Sequence, residues 1–191
     1  MKNWLFGIAA LFTLIFIGSC GSPCDNVECV NGQCIDGICD CERGYTGEKC
    51  DEELTPAFVK ISTVTVTKFP FTPRNDAYWD LDDESGADLV IRISDNSKVY
   101  YKNTDIIGVK DNAEEGVDHV FPVNVRIEKL DNDIIFQIED FDVDDVTFED
   151  TYQFMYSFKK KLSDHIAGFP STITFTDDRA EIVLAVTYAF N

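Results

Sequence analysis

Six cysteines crowd into residues 24–50, and they constrain the chain more than any other feature. They stand as Cys24-x4-Cys29-x4-Cys34-x4-Cys39-x-Cys41-x8-Cys50. So short a stretch cannot bury an adequate core, so covalent bridges must replace apolar packing. Disulfides persist only in an oxidising compartment. Six cysteines allow fifteen connectivities, and spacing alone does not choose among them. A zinc site is disfavoured, because no histidine is near and thiols there are oxidised. The chain holds seven cysteines, so Cys20 is left over.

The residues before Cys20 read as an address. Lys2 precedes an apolar run from Trp4 to Ile17. That run is too short to span a bilayer comfortably and fits a secretory h-region. It closes as Ile17-Gly18-Ser19-Cys20. This ending resembles the lipobox of bacterial lipoproteins: an aliphatic residue, two small residues and a cysteine. The resemblance implies a signal peptide over 1–19, a lipidated N-terminus over 20–23 and acylation of Cys20. Several acyl chains on one residue anchor stably. The expected place is the cell envelope, lipid-anchored to the outer membrane, with the side of that membrane left open. An ordinary signal peptide with Cys20 merely nearby is the plainer alternative.

The cysteine array ends Cys39-Asp-Cys41-Glu-Arg-Gly44-Tyr45-Thr-Gly47-Glu-Lys-Cys50. This resembles the closing signature of an EGF-like domain, over residues 24–51. The resemblance implies the pairs Cys24–Cys34, Cys29–Cys39 and Cys41–Cys50. Gly44 and Gly47 suit tight turns, and Tyr45 supplies the main apolar body. Calcium-binding members of that family place acids just before the first cysteine, where this chain has Gly21-Ser22-Pro23. Calcium is therefore not expected in this module, which reads as a spacer or a protein-binding surface. Residues 52–57 read as a linker.

Residues 58–191 carry the pattern of strands. Phe58–Thr67 alternates and is rich in β-branched residues. Further runs are Leu89–Ile93, Val99–Tyr101, Phe121–Ile127, Ile134–Ile138 and Tyr152–Phe158. Thr172–Thr176 and Glu181–Phe190 form a closing hairpin turning at Asp177-Asp178. Residues 159–167 hint at a helical turn. The expected class is mainly β, with an eight-stranded antiparallel β-sandwich behind the small disulfide-rich module.

Charge narrows the function. The chain has 35 Asp and Glu against 16 Lys and Arg, a formal charge of −19. Nucleic-acid binding needs clustered Lys and Arg and is excluded as an expectation. Cations or basic partners are favoured. Residues 58–191 hold 26 acids, and 13 of these fall in two windows that contain no Lys or Arg. One window is 76–88, with Asp76, Asp80, Asp82, Asp83, Glu84 and Asp88. The other is 139–150, with Glu139, Asp140, Asp142, Asp144, Asp145, Glu149 and Asp150. Each lies between expected strands and reads as a loop. Carboxylates brought together repel by roughly 1 kcal/mol per close pair even in water. A divalent cation removes that cost, and Ca2+ tolerates flexible oxygen geometry better than Mg2+.

Asp82-Asp-Glu-Ser-Gly-Ala-Asp88-Leu-Val-Ile resembles the first calcium loop of a C2 domain, and Asp140-Phe-Asp142 its Asp-x-Asp pair. Leu89 and Val90 stand where that family has Pro and Tyr. The last ligand departs from the pattern, since position 148 is Phe; Glu149, Asp150, Asp144 and Asp145 are the candidates. The resemblance implies a C2-like fold over 58–191, in the circularly permuted strand order, with Ca2+ held by Asp82, Asp88, Asp140, Asp142 and Asp150. A different sandwich with acidic, solvated loops is the alternative. An EF-hand is disfavoured, because Asp145 stands at the turn glycine and Thr151 at the twelfth position.

Catalytic signatures are lacking. There is no GxSxG, HExxH, P-loop or GxGxxG. His119 and His165 have no partner at metal spacing and read as structural or surface residues. The acids lie in like-charged runs rather than in apolar pockets that would raise a carboxyl pKa. Trp79 is expected to pack into the core. Lys159-Lys160-Lys161 reads as a solvated edge or helix face. The expectation is a non-enzymatic envelope lipoprotein, membrane-attached at Cys20, binding Ca2+ and an extracellular protein or glycan. The rivals are an interaction protein without calcium and, more weakly, an envelope hydrolase.

Overall fold

Alternation of apolar and polar residues is the signal of a half-buried strand, and it recurs along most of this chain. The structure is a computed structural model that describes residues 21–72, 79, 86–103, 108–143 and 150–191. In the N-terminal part, β1 (Gly32–Ile35) and β2 (Ile38–Cys41) form an antiparallel hairpin. The turn residues Asp36 and Gly37 have φ of 51° and 87°. Two positive φ values give the turn whose twist matches that of the strands it joins. The disulfides are Cys24–Cys34, Cys29–Cys39 and Cys41–Cys50. β3 (Tyr45–Thr46) pairs with β4 (Glu52–Glu53).

The rest is built from β5 (Phe58–Lys68), β6 (Leu89–Ser94), β7 (Val99–Lys102), β8 (His119–Ile127), β9 (Asp133–Val143), β10 (Asp150–Lys161), β11 (Thr172–Thr176) and β12 (Glu181–Ala189). They form two four-stranded antiparallel sheets, ordered β10-β9-β6-β7 and β11-β12-β5-β8. Along β8 every second residue from His119 to Ile127 is buried. Pro122 is accommodated there because β8 is an edge strand. Both sheets contribute to one core: Val64, Phe121 and Leu184 from one, Leu89, Ile91 and Ile138 from the other. Phe136 on β9 meets Phe175 on β11 with ring centroids 5.5 Å apart. The protein is thus mainly β, with three disulfides in a small N-terminal segment.

Two expectations need correction. Residues 139–143 are not loop but the end of β9, where Glu139, Asp140, Phe141 and Asp142 face Phe154, Gln153, Tyr152 and Thr151 of β10. The ladder to β10 continues through the acids, and β6 pairs as far as Asp140 on the other side. Likewise, Lys159–Lys161 belong to β10 rather than to a helical turn, which is confined to Leu162–His165. Their backbone pairs with Ile135, Ile134 and Asp133, and Lys159 Nζ lies 3.0 Å from Asp133 Oδ2.

The strands run between two ends. At one, the disulfide segment meets the sheets through aromatic rings. Phe169 contacts Tyr45 at 5.4 Å, Tyr188 at 5.5 Å and Phe190 at 5.0 Å. Residues 52–57 are fastened there: Leu54 N donates to Gly44 O, Ala57 N to Ala189 O, and Gly168 N to Glu53 Oε1. At the other end lie the exit of β5, the entries of β6 and β8 and the β11–β12 turn. There Phe69 meets His119, and Lys68 Nζ donates to carbonyls of Asp177 and Asp178.

Candidate functional site

The pairing of β6 with β9 decides which acids meet. Leu89 stands opposite Asp140. This places Asp88, from the first acidic window, against the Asp140–Asp142 segment of the second. Asp88 N donates to Asp140 Oδ1 at 2.7 Å, and Phe141 N donates back to Asp88 O at 2.9 Å. A third segment closes the group. Asn112 N donates to Asp88 Oδ1 at 2.8 Å, and Ala113 N donates to Ala87 O at 2.8 Å. Leu89 and Lys110 exchange two backbone hydrogen bonds of 3.0 Å. Gly86 permits this approach, because a Cβ there would lie 2.9 Å from Ala113 O.

Asp140 is fully buried, which is tolerable for a carboxylate only when neighbouring donors compensate it. Asp142 lies two residues further along β9, hence on the same face, and is half-buried. Its Oδ2 accepts from Gln153 Nε2 at 3.0 Å. Backbone N–H groups thus orient the carboxylates of Asp88 and Asp140, and a side-chain amide that of Asp142.

Of the five ligands expected from the sequence, the structure brings Asp88 and Asp140 together; Asp142 lies two residues further along β9, where its Oδ2 meets Gln153. Asp82 lies outside the described residues, as do Asp76, Asp80, Asp83, Glu84, Asp144, Asp145 and Glu149. Asp150 opens β10 opposite Val143. Cys20 and the 1–19 segment also lie outside the described residues. Among the described residues, no three His, Cys, Asp or Glu side chains stand together as a metal-holding group. Asn112 was missed by sequence reading. It contributes a backbone N–H, which leaves no trace in side-chain pattern. Gln153 was equally silent, because a lone amide in a strand carries no charge signal.

The remaining polar groups hold the fold. His119 is buried with Nε2 3.2 Å from Glu114 O and its ring edge-on to Phe69. His165 packs edge-on against Phe175 at 5.0 Å. Trp79 packs against the core and donates from Nε1 to Pro70 O at 2.9 Å. In the β6–β7 turn, Asp95 accepts from Ser97 Oγ, Ser97 N, Lys98 N and Tyr100 OH. These donors, Ser97 foremost, hold its carboxyl well below the usual range. Burial, reinforced by Asp95, pushes Tyr100 up to about 12. In the β11–β12 turn, Asp177 accepts from Tyr156 OH, Arg179 N and Ala180 N. The Tyr156 bond is the main reason its pKa is lowered.

No protein family model matches the sequence, and no curated protein matches it.

Proposed function

We propose that this chain is a non-enzymatic envelope lipoprotein, anchored at Cys20, whose EGF-like segment carries a C2-like, eight-stranded sandwich that binds Ca2+. The observation that carries this reading is the contact of Asp88 with Asp140. Asp88 closes the first acidic window and Asp140 lies in the second, about fifty residues on, and the two are bonded where the start of β6 meets β9. Asp88, Asp140 and Asp142 would hold the ion, with Asp82 and Asp150 as the further ligands the C2 resemblance implies. Backbone donors to Asp88 and Asp140 orient these carboxylates before any cation arrives. Calcium then offsets the repulsion among acids that have no Lys or Arg in either window. Strand direction also favours display. β12 runs nine residues from the acidic end to the disulfide segment, a separation of about 30 Å. The extracellular ligand would be a protein or glycan met at that acidic end.

One observation favours a second reading. Asp140 has no exposed surface, and its Oδ1 already fastens the Asp88 backbone. In that reading the buried acid is a structural clamp, and the acidic end binds a basic partner directly, in a salt-sensitive manner.

Calcium titration of residues 21–191 by calorimetry, with a parallel melt in chelator, separates the two. Saturable binding with a raised Tm supports the calcium reading through linkage. No heat at millimolar Ca2+ and no shift in Tm leaves the structural clamp.

A further inference from the structure

The β1–β2 hairpin presents an apolar tip that the fold does not cover. Ile35 and Ile38 stand directly opposite each other, on either side of the Asp36-Gly37 turn. They are 49% and 75% exposed. The neighbouring pair Cys34 and Cys39 points to the other face, into the disulfides with Cys24 and Cys29. The two isoleucines therefore cannot turn inward without breaking the register that the disulfides fix. Two adjoining large aliphatic side chains exposed at a rigid tip offer apolar area whose burial against an apolar partner is favourable.

The chain's own attachment point identifies the cover. A Cβ placed on Gly37 would lie 3.4 Å from Pro23 O and 3.5 Å from Pro23 Cβ, so the hairpin tip sits on Pro23. Pro23 is three residues from Cys20. Three residues reach at most about 11 Å when fully extended. The polar headgroup layer is itself roughly 5–7 Å deep on each side of the hydrocarbon. A lipid on Cys20 therefore keeps the hairpin tip within about 11 Å of the acylated residue, near enough to reach the bilayer interface.

We infer that Ile35 and Ile38 form a second membrane contact, dipping into the interface of the bilayer that holds the Cys20 lipid. This rests on the anchoring proposed above. The contact is apolar rather than electrostatic, because residues 21–51 carry seven acids against two bases. It selects zwitterionic over anionic headgroups. The ring contacts of Phe169 with Tyr45 join the hairpin's segment to the sheets. The second contact thus fixes the tilt of the whole protein, where a lipid alone would leave it free to swivel.

The test uses the full lipidated chain, reconstituted into phosphatidylcholine vesicles with brominated acyl chains. Ile38→Trp reports at the tip, and Val120→Trp reports at an exposed site on β8, at the end remote from the disulfide segment. A blue-shifted, bromolipid-quenched signal at position 38, with at least about threefold more quenching than at 120, supports the contact. Equal, weak quenching at both sites in protein that floats with the vesicles overturns it and leaves the anchor standing. Protein whose mass shows an unmodified Cys20, and which does not float, overturns both. Because a new indole can perturb a small hairpin, amide exchange of the unsubstituted lipidated protein is the second measurement. Slower exchange at Asp36 and Gly37 on vesicles than in chain 21–191 in solution supports the contact; equal rates overturn it.

Discussion

Asp140 Oδ1 receives the backbone N–H of Asp88 at 2.7 Å, and it does so from a position with no solvent exposure. One carboxylate thereby ties the entry of β6 to the end of β9. Replacing Asp140 by Ala leaves the partly buried Asp88 N–H without its acceptor, which costs about 1 kcal/mol. Asp140→Asn keeps an acceptor there and costs less. Chemical denaturation of both variants checks the order. The same pair separates the two functional readings. Asp140→Asn should lower the calcium-induced rise in Tm while barely moving the Tm in chelator. An undiminished rise would remove Asp140 from the ligand set.

Gly44 should not tolerate a side chain. Its φ is 101°, and a Cβ there would lie 2.6 Å from Phe169 Cε2 and 2.8 Å from Phe190 Cζ. Gly44→Ala combines backbone strain with a clash against two rings. The expected loss is about 2–4 kcal/mol of the docking between disulfide segment and sheets. It should appear in limited proteolysis as new cleavage within residues 52–57, before the sheets themselves melt.

Phe169 poses a balance between strain and contact. Its φ of 49° is a left-handed conformation that glycine would adopt more easily. Relief of that strain is worth about 1 kcal/mol. Its ring, however, contacts Tyr45, Tyr188 and Phe190. Removing a packed aromatic costs about 3–5 kcal/mol. Phe169→Gly should therefore destabilise, with a lower Tm and loss of the near-ultraviolet signal of the ring cluster. A variant at least as stable as the parent would mean that the cluster contributes little.

Acid should release the β6–β7 turn. The Asp95 pKa is lowered in the folded state, so its contribution is complete above the unfolded value near 3.9. That contribution is lost as pH falls through the folded value. The Tm gap between the parent and Asp95→Ala should be widest near neutral pH and should close below about pH 4. Tyr100 acts at the other extreme. Its pKa is raised to about 12, so the protonated phenol favours the folded state and stability declines as pH climbs beyond about 10. A gap independent of pH would show that the four donors to Asp95 do not discriminate its charge.

Reduction should act locally. The three bridges close loops of nine or ten residues, each contributing about 2–3 kcal/mol in the chain-entropy account. The core residues of the two sheets lie outside residues 24–50. Reduced protein should keep the far-ultraviolet β signal while residues 24–50 become open to proteases, as mass mapping of the fragments would show. Collapse of the β signal on reduction would make the sheets dependent on the disulfide segment.

Much of the fold was legible in the sequence because its signals are local. Alternation along 58–67, 121–127 and 181–190 gave strands whose observed bounds are Phe58–Lys68, His119–Ile127 and Glu181–Ala189. A strand reports its own inward face through a period of two, whatever lies across from it. Six cysteines in 27 residues likewise announced a stapled segment, since nothing else stabilises so short a stretch.

Tertiary structure alone decided the rest. Local charge made 139–143 look like loop, yet pairing on both flanks drew those acids into β9, because a backbone ladder is indifferent to the side chains it carries. The C2 resemblance set Asp88 and Asp140 in one site, but no sequence pattern supplied the bond from Asp88 N to Asp140 Oδ1 or the Asn112 N–H, since both depend on which segments lie side by side. Nor could the run 52–57 reveal that Glu53, Leu54 and Ala57 are bonded to residues 168, 44 and 189. The amino-acid sequence by itself determined the elements, the staples and the charge. Strand order, through contacts between residues far apart along the chain, determined which of the acids are bonded to each other.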